Sequence, residues 1–176
     1  TDDNERLIVA VVSQAVYFIE ISAADTDEGC NANNYSLEFE NFAAPVPTLV
    51  DLNTSSDTGM MNDDNNTADN TPSFTVFVDL QNFIDPDGNG TNDIPLLTAA
   101  QAAAGDMPGV AVQLFGNGGS LGFADSLFGS VAFRLDGAPA FTDGESFIQA
   151  AVRVFDGQTP NETGRQSLSD PLLITI

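Results

Sequence analysis

Short β-branched and aromatic runs recur along this chain, and each is cut off by a turn rich in Gly, Asn or Asp. Val110–Phe115 runs into Gly116-Asn117-Gly118-Gly119, Ser130–Leu135 into Asp136-Gly137, and Ser146–Phe155 into Asp156-Gly157. Such residues suit a pleated, half-buried surface, and such turns supply the positive φ that tight reversals need. Further strands are expected at Leu7–Ile21, Tyr35–Phe42, Thr48–Leu52, Ser73–Leu80 and Leu172–Ile176. Tyr35, Leu37 and Phe39 alternate with Ser36, Glu38 and Glu40, the period of a strand with one buried face. Leu121–Phe128 fits no single pattern. One helix is expected, over residues 99–104, because Thr98 and Gln101 form a capping-box pair before an alanine run that ends at Gly105. About nine strands and one small helix give an all-β fold, an antiparallel β-sandwich of Ig-like or jelly-roll Greek-key type. No internal repeat or domain boundary interrupts residues 1–176, which read as one domain with a leader and apolar strand over 1–21.

The most specific chemical signal is Asp85-Pro86-Asp87-Gly88-Asn89-Gly90-Thr91-Asn92-Asp93. Oxygen-bearing side chains recur at every second position, Asp85, Asp87, Asn89, Thr91 and Asp93, and Gly90 stands at the bend. This is the opening of a D-x-[DN]-x-[DN]-G calcium loop, in which alternating oxygens wrap around one hard cation. Position twelve carries Leu96 in place of a bidentate Glu, so water or a remote carboxylate must complete the shell and binding is expected to be weaker than in an intracellular sensor. An Asx-rich turn with no ion explains the same composition less fully. The apolar-poor stretch 53–72, with Asp57, Asp63, Asp64 and Asp69, is a second candidate region for cations, as is the acidic loop 22–34.

Charge narrows the chemistry further. Against 26 acids stand four arginines (Arg6, Arg134, Arg153, Arg165), with no Lys and no His, for a net charge of −22. Nucleic acid and anionic membranes are repelled by such a surface. Without His there is no Ser-His-Asp triad and no imidazole base; without Lys there is no Schiff base and no Walker loop. Carboxylate pairs are the main catalytic chemistry left, and no acid singles itself out for it. Cys30 is the single thiol, so no internal disulfide forms.

Leu7–Ile21 is apolar on both parities but interrupted by Ser13, Gln14 and Glu20, too short and too polar to span a membrane. It has no basic segment before it and does not read as a signal peptide, so if the protein is exported this is expected to be the mature chain. Two roles fit the run: a first core strand of its own subunit, or a strand donated to a neighbour's sheet.

The C-terminal thirty residues, from Phe147-Ile-Gln-Ala-Ala-Val-Arg-Val-Phe-Asp-Gly to Asp170-Pro-Leu-Leu-Ile-Thr-Ile176, resemble the last two strands of prokaryotic extracellular Ig-like or cadherin-like domains. The resemblance implies a Greek-key sandwich, surface exposure and calcium, with Asp156 as the position for a second ion. The sequons at Asn34, Asn53, Asn65, Asn89 and Asn161 permit N-glycosylation in a host that performs it.

Together these features point to a non-enzymatic, extracellular or cell-surface calcium-binding subunit. It is expected to assemble with identical copies into a filament, tube or layer, by strand donation and cation bridging of acidic surfaces. The alternative is an extracellular carbohydrate- or ligand-binding or adhesion module with a surface glycan as partner. Sugar platforms favour Trp and Tyr, however, and the chain has no Trp and only Tyr17 and Tyr35. A carboxylate-dependent hydrolase ranks third.

Overall fold

A computed structural model describes residues 44–61, 63–105, 107–156 and 168–176, with Asp156 described by its backbone alone. The expected strands at 7–21 and 35–42, the acidic loop 22–34, Cys30 and the sequons at Asn34 and Asn161 lie outside the described residues.

Among the described residues seven strands are formed: β1 (Leu49–Leu52), β2 (Phe74–Phe77), β3 (Pro108–Gly116), β4 (Gly119–Phe128), β5 (Ala132–Leu135), β6 (Glu145–Asp156) and β7 (Leu172–Thr175). They pair antiparallel throughout, in the order β1-β2-β5-β4-β3-β6-β7. The all-β, antiparallel expectation holds. Two separate layers, however, are not what the pairing gives. β4 joins the two halves by sharing itself: residues 119–124 pair with β3, and residues 125–128 pair with β5. Both junctions carry a bulge, between Leu114 and Phe115 and between Ser126 and Phe128, and bulges sharpen twist and let a sheet curl. The end strand β1 comes back against β6 and β7, so the sheet is nearly closed and barrel-like.

The core follows from strand parity. Val110, Val112 and Leu114 of β3 face inward with Ile148, Ala150 and Val152 of β6, Phe74 and Val76 of β2, Phe133 of β5, and Ile174 of β7. The opposite face of β3 is covered too. There Ala111 and Phe155 pack with Leu97 and Ala102, and the Phe123 and Phe155 rings lie 5.8 Å apart. The cover is helix α2 (Ala99–Ala104), its capping box formed as the sequence predicts: Thr98 accepts the Gln101 N–H, Gln101 accepts the Thr98 N–H, and Gly105 closes the helix in the left-handed region. Asp125 of β4 adds a cap by accepting the Ala99 N–H at 2.8 Å. Small alanines let this helix lie close to the sheet. Gly109 admits the approach of the segment before β3: with φ +151°, a Cβ there would sit 2.6 Å from the Pro95 carbonyl oxygen and 2.8 Å from the Leu97 side chain.

A second helical turn, α1 (Gln81–Ile84), was not expected. It starts where Asp79 accepts the Gln81 N–H at 3.0 Å, an Asx turn that offers the backbone an alternative to continuing β2. Stretch 53–72, apart from residue 62, is tied to the sheet as well. Its Thr67 N–H donates to the Thr175 carbonyl at 2.9 Å, and the Thr175 N–H donates to the Asn65 carbonyl at 3.0 Å. The connection between β1 and β2 thereby pairs with the free edge of β7.

Phe74 is fully buried between sheet partners and meets Phe141 edge-on at 6.3 Å. Phe74→Ala is expected to lower the unfolding free energy in urea by about 3–5 kcal/mol. Leu49→Ala, on the exposed side of β1, should change it by less than about 0.5 kcal/mol. Equal losses would contradict the inward parity described above.

Candidate metal centre

The loop 85–93 hangs from the sheet by a closed neck. Ile84, buried in the core, accepts the N–H groups of both Asp93 (2.7 Å) and Ile94 (3.1 Å), so the chain leaves and re-enters at one point. On the exit side Leu96 bridges to Val110, with the Leu97 N–H donating to the Val110 carbonyl and the Val110 N–H to the Pro95 carbonyl. Leu96 therefore packs against the core, and position twelve of the loop supplies no side-chain ligand.

Inside the loop, backbone amides organise the acids. Asp85 caps the C-terminus of α1 and is only 5% exposed. Its Oδ1 accepts the Asn89 N–H (3.1 Å), and its Oδ2 accepts the Gly90 N–H (2.9 Å) and the Gln81 Nε2–H (3.3 Å). Asp87, at the surface, accepts the Asn89 N–H at Oδ1 (3.1 Å) and the Asn89 Nδ2–H at Oδ2 (2.7 Å). Asn89 Oδ1 in turn accepts the Thr91 N–H at 2.7 Å. Gly88 and Gly90 have φ of +69° and +84°, yet an added Cβ would touch nothing at either position. Conformation, not space, calls for glycine there.

Of the five residues expected to ligate, the structure brings three carboxylates together. Asp85, Asp87 and Asp93 each place one oxygen so that all three lie within 4.8 Å of one another. A cation with oxygen contacts of about 2.3–2.6 Å reaches oxygens separated by up to about twice that distance, so one ion can touch all three. In this arrangement Asn89 and Thr91 serve the loop's own hydrogen bonds, Asn89 through its side chain and Thr91 through its backbone N–H. Among the described residues, Arg134 pairs with Asp136 at 2.5 Å, and Arg153 donates to Gln113 at 2.6 Å.

Gln81 was missed from sequence. It stands four residues before Asp85 on one helical turn, the i, i+4 spacing that brings side chains together, but without α1 in view that spacing carried no meaning. Two other expected positions resolve differently. The Asn53 side-chain nitrogen is buried, which closes that sequon to glycan in the folded chain. The Asp156 side chain lies outside the described residues.

No protein-family model matches the chain, and no curated protein matches its sequence. Among the described residues, no helix is long and apolar enough to cross a membrane.

Two acids of stretch 53–72 show how amides, in place of bases, hold this chain's charge. The Asn66 side-chain amide and then its backbone N–H hold the Asp64 carboxyl below its ordinary value of 3.8. The Thr71 N–H holds Asp69 below the same value, and Ser56 Oγ–H adds to it. Folding thus lowers both values, so the stabilisation is fully present above the unfolded value and is lost as pH falls through the folded ones. In a metal-free pH titration, the amide resonances of Asn66 and Thr71 should stay native at pH 5 and shift only below about pH 4. A midpoint above 5 would contradict the assignment.

Proposed function

We propose that this protein is a non-enzymatic, calcium-binding structural subunit of an extracellular or cell-surface assembly, built with identical copies into a filament, tube or layer. The observation that carries the reading is the pre-shaped triad Asp85–Asp87–Asp93, an oxygen cage at a closed loop neck on a strongly acidic domain. Calcium suits it better than magnesium. The oxygens are flexible in number, an outer face stays open to water through Asp87 and Asp93, and magnesium demands a tight octahedron. Asn89 and Thr91 are ligands in this proposal only through modest rotation from their present hydrogen bonds.

Assembly is supported by the way the sheet ends. Strands β1 and β7 approach without a ladder between them among the described residues. An apolar strand such as Leu7–Ile21, from the same or a neighbouring copy, would satisfy edge amides there and bury side chains worth about 25 cal/mol per Å² removed from water. Calcium would offset repulsion between subunits of charge −22. The Ig- or cadherin-like two-layer reading belongs to the same proposal, with β4 as the strand across which the layers β1-β2-β5 and β3-β6-β7 fold. A second reading, a ligand-binding or adhesion module, is favoured by one feature: the β4–β5 hairpin exposes Leu127, Phe128 and Val131, with Phe128 at 75%.

Size-exclusion chromatography with light scattering should show large species in calcium and small ones in EDTA at equal ionic strength. Removing residues 1–21 should abolish them without unfolding the domain, and normal polymers from that truncation would end the strand-donation idea. A monomer in both buffers would favour the ligand-binding reading, to be taken up by glycan array with Phe128→Ser as control. Calcium binding itself is expected to weaken at least about tenfold in Asp87→Asn, read by calorimetric titration.

A further inference from the structure

Asp57 presents a problem that the loop 85–93 does not solve. It is 5% exposed; its Oδ2 accepts the Asn65 N–H at 3.2 Å, while its Oδ1 is buried without any partner. The next amide along, Asn66 N–H, donates to Asp64 Oδ1 at 3.1 Å. Consecutive amides thus set the two carboxyls side by side, within hydrogen-bonding reach of each other. Gly59 closes the third side: its N–H donates to the Asn66 carbonyl at 2.8 Å, and a Cβ there would stand 2.8 Å from Asp64 Oδ1.

Two adjoining carboxylates, one of them buried with an oxygen that no donor reaches, repel each other unless a cation lies between them. The chain has no Lys or His to supply that cation, and of the two arginines among the described residues Arg134 pairs with Asp136 and Arg153 donates to Gln113. Asp64 is half-buried and reaches solvent, which leaves an entry path for a partly hydrated ion.

We infer that stretch 53–72 holds a second site for a hard divalent cation, with Asp57 and Asp64 as its carboxylate ligands, and that this ion fastens the stretch to the edge of β7. It stands on its own residues and not on the triad. The mechanical link is short. Asn65 gives its N–H to Asp57 and its carbonyl to Thr175, and Thr67 gives its N–H to Thr175. An ion bound to Asp57 and Asp64 therefore stiffens the very peptides that clamp β7.

The test is terbium luminescence and equilibrium dialysis with calcium on the EDTA-stripped full chain, alongside Asp64→Asn, Asp57→Asn and Asp87→Asn. Asp64→Asn is the primary variant, since a half-buried, nearly isosteric change leaves the fold intact. Wild type should bind one ion more than Asp64→Asn and one more than Asp87→Asn. Calcium should slow hydrogen exchange at Thr67 and Thr175 in wild type and Asp87→Asn, but not in Asp64→Asn. Equal ion counts in wild type and Asp64→Asn would overturn the site. A single ion removed by Asp87→Asn alone would also overturn it while upholding the triad. A single ion removed by Asp64→Asn alone would uphold it and remove the triad.

Discussion

Nine consecutive residues of β3, Pro108 to Gly116, pair with Ile148 to Asp156 of β6, and both faces of that ribbon are covered. Inward residues of the ladder fill the main core, while Ala111 and Phe155 on the other side meet the alanine face of α2. Strands buried on both faces have no polar side to show water, which is why 110–115 and 147–155 read as nearly continuous apolar runs. A single shift in register would move Val110, Val112 and Leu114 to the α2 side and break both clusters at once. The metal loop depends on this ladder directly. Its exit is pinned to Val110, and its entrance to Ile84 in the same core.

The second constraint is charge without counter-charge. A chain with four arginines cannot neutralise 26 acids by ion pairs, and in the described residues backbone N–H groups take that role. Asp85 caps the turn of its own loop, Asp125 caps α2, Asp79 starts α1, and Asp57, Asp64 and Asp69 hold the amides of stretch 53–72. Charge-assisted bonds to amides are stronger than neutral ones, yet they leave each carboxylate negative. Local order is gained this way and net repulsion is not removed. The repulsion that remains is what the proposed cations would offset.

Legibility from sequence followed how local the determining physics is. The capping box of Thr98 and Gln101, the Asp136-Gly137 turn and the long β6 run are decided by neighbouring residues, and all three were readable. β4 was not, because its ten residues divide between two partners around a bulge, so no single inside–outside period survives. Helix α1 is one turn long and owes its start to Asp79, too little chain for a helical pattern to register. The sheet order was likewise hidden. Pairing of Asn65 and Thr67 with Thr175 joins residues more than a hundred positions apart, and composition alone marks 53–72 only as an apolar-poor, acidic stretch. The alternation from Asp85 to Asp93 did announce an oxygen-lined loop, but not that the Asn89 side chain would bond within it, to Asp87 and to the Thr91 N–H.

A barrel-like sheet that stops short of closure must deal with its last two edges, since unpaired strand edges invite uncontrolled association. Here the two ends are treated differently. On β7, Thr175 is covered by the backbone of Asn65 and Thr67, a contact made from within the chain and set by acids that grip those same peptides. β1 has Val50 and Leu52 turned into the core and Leu49 and Asp51 turned out, a short strand with a charge on its face, which blunts casual pairing without forbidding a well-matched partner. Among the described residues, one edge is met by the chain's own acidic loop and the other, β1, has β2 as its one ladder partner, so the two edges present different surfaces to any further strand.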